Sequence, residues 1–202
     1  MENISIEKAF QIMKKKNPKR FNHIEETYHK ANELAKLYNV HAYKAGMAAL
    51  LHDYAKDEPK ERLLDIIGRI DCSILKYHEN VYHGYAGAYL IKHELGITDP
   101  DIIEAIKYHV TGHPNMNNVA KIVYIADKTE NTRDFPGIGF CRKLSEISLD
   151  FGVLSISEAT YDYLTEKNFS IHPLTKKTYD YFLKKVGICY YETLKNNYQS
   201  LR

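Results

Sequence analysis

Helical periodicity runs through this chain from end to end, and no stretch alternates apolar and polar residues at the period of two that a half-buried strand requires. That pattern points to an all-α fold, because apolar side chains three and four residues apart share a face only on a helix. A first amphipathic helix is predicted over about residues 4–15, with Ile6, Ala9, Phe10 and Met13 on one side and Asn17-Pro18 as its break. A second covers about residues 21–40, striped by Ile24, Tyr28, Ala31, Leu34, Ala35 and Tyr38. A third, about 42–56, carries Ala45, Gly46, Ala48 and Ala49, which are small enough to let neighbours approach and so belong at the centre of a bundle.

Asp57 and Pro59 open a fourth helix through about Ile67, and another runs from about His83 to Leu95, stopped by Gly96. Asp99-Pro100 is a cap followed by a first-turn proline, opening a helix that ends near Gly112. The next spans about Asn118 to Arg133. Beyond the turn Asp134-Phe-Pro-Gly137 two or three more helices are predicted, broken at Ser170-Ile-His-Pro173. Ten glycines, six prolines and no repeat or linker leave little room for a domain boundary, so residues 1–202 are expected to form one domain.

A chain of 202 residues that is 44% hydrophobic and 27% charged is an ordinary globular protein rather than a disordered one. Its 28 Lys plus Arg against 26 Asp plus Glu leave a net charge of +2, without the basic excess of a duplex binder. The cluster Lys14-Lys-Lys16 with Lys19-Arg20 reads as a solvated helix end, so no nucleic-acid partner is expected. Cys72, Cys141 and Cys189 form no CxxC pair and suit a reducing compartment. The segment MENISIEKAF has no apolar core of a signal peptide, and no apolar run reaches the ~18 residues that span a bilayer. A cytoplasmic location without a membrane partner is the expectation. The 17 tyrosines leave a homodimer contact open.

The chemistry is carried by the dipeptide His52-Asp53 at the end of the small-residue helix, together with His23, His83, His109 and Asp127. His52 extends the stripe of Ala45, Ala48 and Ala49; His109 follows Ala105 and Ile106; Asp127 follows Val119 and Val123. An imidazole or carboxylate that continues an apolar stripe is costly to bury unless it is paired or bound to a cation. Several helices thus aim ligand-type side chains inward, which a metal ion explains economically. Two His and two Asp on one ion leave positions open for water and a phosphate oxygen, and such an ion yields a nucleophile near neutral pH while offsetting phosphoryl charge. His83 and His109 suit either a second ion or contact with substrate phosphates. His29, His41, His78 and His93 lie in polar stretches and read as surface residues.

The order His23, His52-Asp53, Asp127 resembles the HD superfamily of metal-dependent phosphohydrolases. The local motifs resemble its YqeK-like branch, the symmetrical diadenosine tetraphosphate hydrolases. They are Arg20-Phe-Asn-His23, Leu50-Leu-His-Asp-Tyr-Ala-Lys56, His83-Gly-Tyr-Ala-Gly-Ala-Tyr-Leu90, Ala105-Ile-Lys-Tyr-His109 with Thr111-Gly112, Ile125-Ala-Asp127 through Arg133-Asp-Phe-Pro-Gly137, and Ile171-His-Pro173.

The resemblance implies a helical HD-domain bundle with its core over about residues 18–135 and C-terminal helices, about 138–197, completing a nucleotide pocket. It implies iron, with manganese, zinc or cobalt as alternatives, held by His23, His52, Asp53 and Asp127. It implies a dinucleoside polyphosphate substrate or ADP product lined by Arg20, Lys56, His83, His109, Thr111, Arg133, Ser170, Ile171, His172, Pro173 and Thr175. Asp53, His83 and His109 are the candidate catalytic residues: Asp53 for holding metal and water, the two rings for a proton or hydrogen bond to the leaving phosphate. The chain departs from the motif at Val110, His113 and Leu174, where threonine, arginine and an acidic or polar residue are expected; a protonated His113 can substitute for the arginine. The alternatives are an HD nucleotidase acting on nucleoside monophosphates and a nucleotide sensor without turnover.

Overall fold

In the computed structural model, which describes residues 4–200, eleven α-helices follow one another with no strand among the described residues. They are α1 (Ile6–Lys16), α2 (Phe21–Leu37), α3 (Ala42–Leu51), α4 (Lys60–Asp71), α5 (Tyr82–Glu94), α6 (Pro100–Tyr108), α7 (Asn118–Thr129), α8 (Ile138–Ile147), α9 (Leu149–Glu166), α10 (Pro173–Val186) and α11 (Ile188–Ser200). Two short 3-10 turns, Cys72–Lys76 and Glu79–Val81, join α4 to α5.

The helix starts follow from local chemistry. Ser5 accepts a hydrogen bond from the Lys8 amide, Asp99 from those of Asp101 and Ile102, and Asn117 from that of Ala120. Each satisfies amide groups that a first turn leaves unpaired. Packing then sets the layers. On α7 the residues Val119, Ala120, Ile122, Val123, Tyr124, Ile125 and Ala126 are all buried, so this helix is the axis of the bundle. It packs against α2, α3, α6 and α9, while α5 leans on α6, and α8 and α10 flank α9. Burying each large aliphatic side chain stabilises the fold by roughly 1.5–3 kcal/mol, so the all-round burial of α7 does more than helix propensity to hold it there. No helix among the described residues is long and apolar enough to cross a membrane.

Several predicted helix ends are misplaced: α2 stops at Leu37 rather than about residue 40, α4 continues to Asp71 rather than about Ile67, and α6 stops at Tyr108 rather than near Gly112; three further differences have identifiable reasons. Helix α3 stops at Leu51 rather than near residue 56, and the next residues wind in tight turns with Tyr54 N bonded to Leu51 O and Lys56 N to Asp53 O. His52 ends the helix itself, because its ring nitrogen Nδ1 takes the Ala49 carbonyl at 2.6 Å. Helix α7 stops at Thr129, not Arg133, where the Arg142 guanidinium donates to the carbonyls of Thr129, Glu130 and Arg133. Four helices rather than two or three follow Gly137. Ser148, in extended conformation, ends α8 and caps α9 through the Asp150 amide, and Gly187, at φ 95°, separates α10 from α11. The 3-10 turns were also missed; Asp71 and His78 cap them by accepting from the amides of Ser73 and Asn80.

Candidate metal centre

Helix α2 contributes His23, the turn beyond α3 contributes His52 and Asp53, α5 contributes His83, the turn beyond α6 contributes His109, and α7 contributes Asp127. All are buried except His23, whose side chain is 13% exposed and so forms the solvent edge of the cluster. Helices α5 and α6 can bring His83 to His109 because Gly84 lies between them; a Cβ there would sit 2.9 Å from the Lys107 carbonyl oxygen.

The Asp53 carboxylate divides the cluster. Its Oδ2 faces His52 Nε2 at 3.5 Å and His23 Nε2 at 3.9 Å. On the same side Asp127 Oδ1 lies 3.2 Å from His23 Nε2 and 3.8 Å from His52 Nε2. The other oxygen, Asp53 Oδ1, faces His83 Nε2 at 3.2 Å and His109 Nε2 at 3.8 Å, with the two Nε2 atoms 3.0 Å apart.

Tautomers follow from the partners on the far side of the rings. His52 Nδ1 meets the Ala49 carbonyl at 2.6 Å and His109 Nδ1 the Ile106 carbonyl at 2.8 Å. A carbonyl only accepts, so each Nδ1 carries the proton and a neutral ring presents a bare Nε2. His23 Nδ1 faces the buried Glu130 carboxylate at 3.0 Å and is fixed in the same way. His23 and His52 therefore aim two lone pairs at each other across 3.3 Å, beside two carboxylates. Such donors repel one another unless a cation lies among them, and imidazole with carboxylate is a set that divalent transition metals take. The residues fit a divalent metal ion. Three overlapping trios, His23/His52/Asp53, His52/His109/Asp127 and Asp53/His83/His109, each bring ligand atoms within 4.8 Å of one another.

Burial works to raise the Asp53 carboxyl, but with no ion among them the His52 ring can take a second proton on Nε2, and that charge, with a hydrogen bond from His83, outweighs burial and holds the group well below the usual carboxylate range. Burial works to raise the Asp127 carboxyl as well, but the charge of Lys128, with that of Arg133, holds it well below the usual range. Burial lowers the pKa of His83 and, more strongly, that of His109. Burial opposes charge on His52 as well, yet Asp53 more than offsets it and raises that ring.

A rim of cations surrounds the carboxylates. Arg20 reaches Asp53 Oδ2 at 2.6 Å, and Arg133 reaches Asp127 Oδ1 at 2.6 Å while donating from Nε to the Asp127 carbonyl. Lys56 is half-buried, its Nζ 3.5 Å from Asn80 Oδ1, and burial lowers its pKa. Thr111 is buried with its hydroxyl donating to the Gly112 carbonyl. Ser170 is exposed, Ile171 half-buried and Thr175 buried, and Pro173 opens α10, capped by His172. The His172 ring packs on Tyr77 at 4.4 Å and Tyr85 at 6.2 Å, so this segment stands beside the cluster rather than in it. His113 stacks on Tyr108 at 4.6 Å, and burial lowers its pKa, which opposes a protonated stand-in for arginine.

Two residues of this site escaped sequence reasoning. Lys128 donates to Asp127 Oδ2 at 2.5 Å and to the His109 carbonyl at 3.2 Å, and its adjacency to Asp127 was the available signal. Glu130 is fully buried against His23, although it sits in a polar run with no periodicity to betray it.

Comparison with known proteins agrees with this geometry. Residues 20–132 match the family model described as HD domain. A protein of Bacillus subtilis (strain 168) named "Bis(5'-nucleosyl)-tetraphosphatase, symmetrical" is 37% identical over 166 residues, 81% of this chain and 89% of the relative. One of the same name from Halalkalibacterium halodurans is 36% identical over 179 residues, 87% of this chain and 96% of the relative. A crystal structure from Clostridium acetobutylicum, described as a predicted HD superfamily hydrolase involved in NAD metabolism, superposes with a TM-score of 0.83 at 31% identity, covering 91% of this chain and 100% of that one. With its helical scaffold, its buried His/Asp set and these matches, the chain belongs to the HD-domain family, among the relatives of the symmetrical bis(5'-nucleosyl)-tetraphosphatases.

Proposed function

We propose that this protein is a metal-dependent hydrolase that splits diadenosine tetraphosphate between its two central phosphorus atoms, releasing two ADP. The observation that carries the reading is the pairing of a buried His/Asp donor set with a rim of cations, a combination suited to polyphosphate. The shared ancestry with proteins named for this reaction supports it.

In this reading His23, His52, Asp53 and Asp127 would hold the ion, iron by family resemblance, with manganese, zinc or cobalt as alternatives. When bound, the metal offsets phosphoryl charge and lowers the pKa of water. The chain's own residues do the rest. Arg20, Lys56 and Arg133 would bind phosphate oxygens; the two arginines already pair with the carboxylates of Asp53 and Asp127, and Lys56 lies nearby against the Asn80 amide oxygen. Asp53 would orient the attacking water, while His83 and His109, which face Asp53, would either help to hold a second cation or hydrogen-bond the departing ADP phosphate. Thr111 and the segment Ser170 to Thr175 flank the nucleoside. A cavity of about 310 Å³ beside that segment, lined by Tyr77, Tyr85, Tyr108, Lys107, Asp71 and His172, offers aromatic faces to a base.

Chromatography of products after incubation with diadenosine tetraphosphate and ferrous or manganous ion tests the proposal. ADP alone is expected, and Asp53→Ala should abolish turnover. ATP plus AMP would refute symmetrical cleavage. Inorganic phosphate released from nucleoside monophosphates would favour the nucleotidase, and saturable binding without turnover the sensor.

A further inference from the structure

The imidazoles at the centre differ in what stands behind them. His52 and His109 each donate Nδ1–H to a main-chain carbonyl one turn earlier in their own helix, a neutral partner built into the backbone. His23 instead donates to a carboxylate 107 residues further along the chain, Glu130 Oε1 at 3.0 Å. That carboxylate is entirely buried and fixed by three other groups. The Thr132 hydroxyl donates to Oε1 at 2.7 Å, the Thr132 amide donates to Oε2 at 2.5 Å, and Arg133 Nε lies 3.6 Å from Oε1. Its backbone is held as well, because Arg142 takes the Glu130 carbonyl at 2.7 Å and those of Thr129 and Arg133 beside it. Placing an ionised side chain there without a partner would be costly, and the partner provided is the ring nitrogen opposite the one that faces the cluster.

We propose that Glu130 is a positioning residue for the metal: it fixes His23 in the Nδ1–H tautomer, locks the ring's rotation, and makes Nε2 the most strongly donating imidazole nitrogen of the site. This rests on the metal reading given above. A carboxylate behind a ligating imidazole raises its basicity and orients it, and loss of such a partner commonly costs 10- to 100-fold in metal affinity. His23 needs this most, since it is the partly exposed ring of the cluster and α2 supplies no carbonyl bond to its Nδ1.

The test uses the full chain and measures affinity for Zn²⁺ and Mn²⁺ by competition with a chelating dye, comparing the unaltered protein with Glu130→Gln and Glu130→Ala. Glu130→Gln preserves shape and can still accept from Thr132, so a folded protein is expected from its metal-free circular dichroism. Its affinity should fall about tenfold, and that of Glu130→Ala by up to about 100-fold. A second measurement needs no substitution. In the zinc-loaded protein, nitrogen-15 spectra should show His23 protonated at Nδ1 and bound through Nε2. Glu130→Gln should move the His23 Nδ1 resonance while leaving those of His52 and His109 in place. Zinc affinity of Glu130→Gln within twofold of the unaltered protein, or His23 bound through Nδ1, would overturn the proposal and leave the metal site intact. Failure of the unaltered protein to bind either ion would overturn the metal reading, and this proposal with it.

Discussion

Gly84→Ala separates two effects of one methyl group that usually travel together. Within a helix, glycine to alanine gains up to ~1 kcal/mol from backbone entropy and solvation. At Gly84 the added Cβ would lie 2.9 Å from the Lys107 carbonyl oxygen and 3.3 Å from that of Ile106, about half an ångström and a tenth inside ordinary contact. Both obstacles are main chain, so α5 and α6 must part, and overpacking of this kind costs about 1–3 kcal/mol. Strain should win by ~1–2 kcal/mol, lowering the melting temperature by roughly 2–8 °C in a chain of this size. The same displacement separates the Nε2 atoms of His83 and His109, now 3.0 Å apart, and shifts both rings relative to Asp53. A misplacement of this order should cost on the order of tenfold in turnover. The control is Gly68→Ala on α4, where nothing lies within 4 Å of the new Cβ. It should raise the melting temperature by ~1–4 °C and leave turnover unchanged. Thermal melts of both variants, followed by activity assays with saturating metal, decide the matter. If Gly84→Ala proved as stabilising as Gly68→Ala, the close approach of α5 and α6 could not be what brings the two histidines together.

Chelation should lower the melting temperature and addition of Mn²⁺ restore it; an ion at 100 times its dissociation constant contributes about 2.7 kcal/mol, and melts insensitive to chelator would remove the metal from the account. Native protein should lose two thiols to iodoacetamide near pH 8, because Cys72 and Cys189 are exposed whereas burial pushes the Cys141 thiol up to about 11; tryptic mapping that finds Cys141 labelled before unfolding would contradict this. Burial tends to raise Asp150, but Lys121 at 2.7 Å and Lys185 at 2.8 Å hold its carboxyl below the usual range. A depressed folded pKa contributes stability above the unfolded value and loses it as pH falls through the folded one. Asp150→Asn should therefore cost about 1 kcal/mol at pH 7 and progressively less as pH falls below the usual carboxylate range, as read by urea unfolding at each pH; a cost that stayed constant as pH fell would contradict this.

Most of the cluster was legible in the sequence because its members break a strong pattern. A ring or carboxylate ending a run of alanine, valine or isoleucine, as at His52, His109 and Asp127, declares itself buried before any coordinates exist. His23 was weaker on periodicity and came from its place in a motif. What stayed hidden depends on contacts between distant segments. Glu130 lies in Lys-Thr-Glu-Asn-Thr-Arg, a run that reads as a solvated helix end, and only the return of α8 with Arg142 turns it inward. The stop of α3 at Leu51 was hidden for the opposite reason, since helix-forming residues continue and a side-chain bond of His52 overrides them. Propensity is local and weak; one well-placed hydrogen bond in a buried setting exceeds it.

The bonds that His52 and His109 make to the carbonyls of Ala49 and Ile106 mean that the groups facing the cluster are also the groups that end α3 and α6. Anyone transplanting this constellation into another scaffold must therefore carry over the final turn of each helix and not the side chains alone. An alanine scan at these two positions likewise removes an imidazole and frees a buried carbonyl in a single step, so the deficit it records is a composite. Asparagine, which can donate to the same carbonyl but presents no aromatic nitrogen, would separate the two contributions.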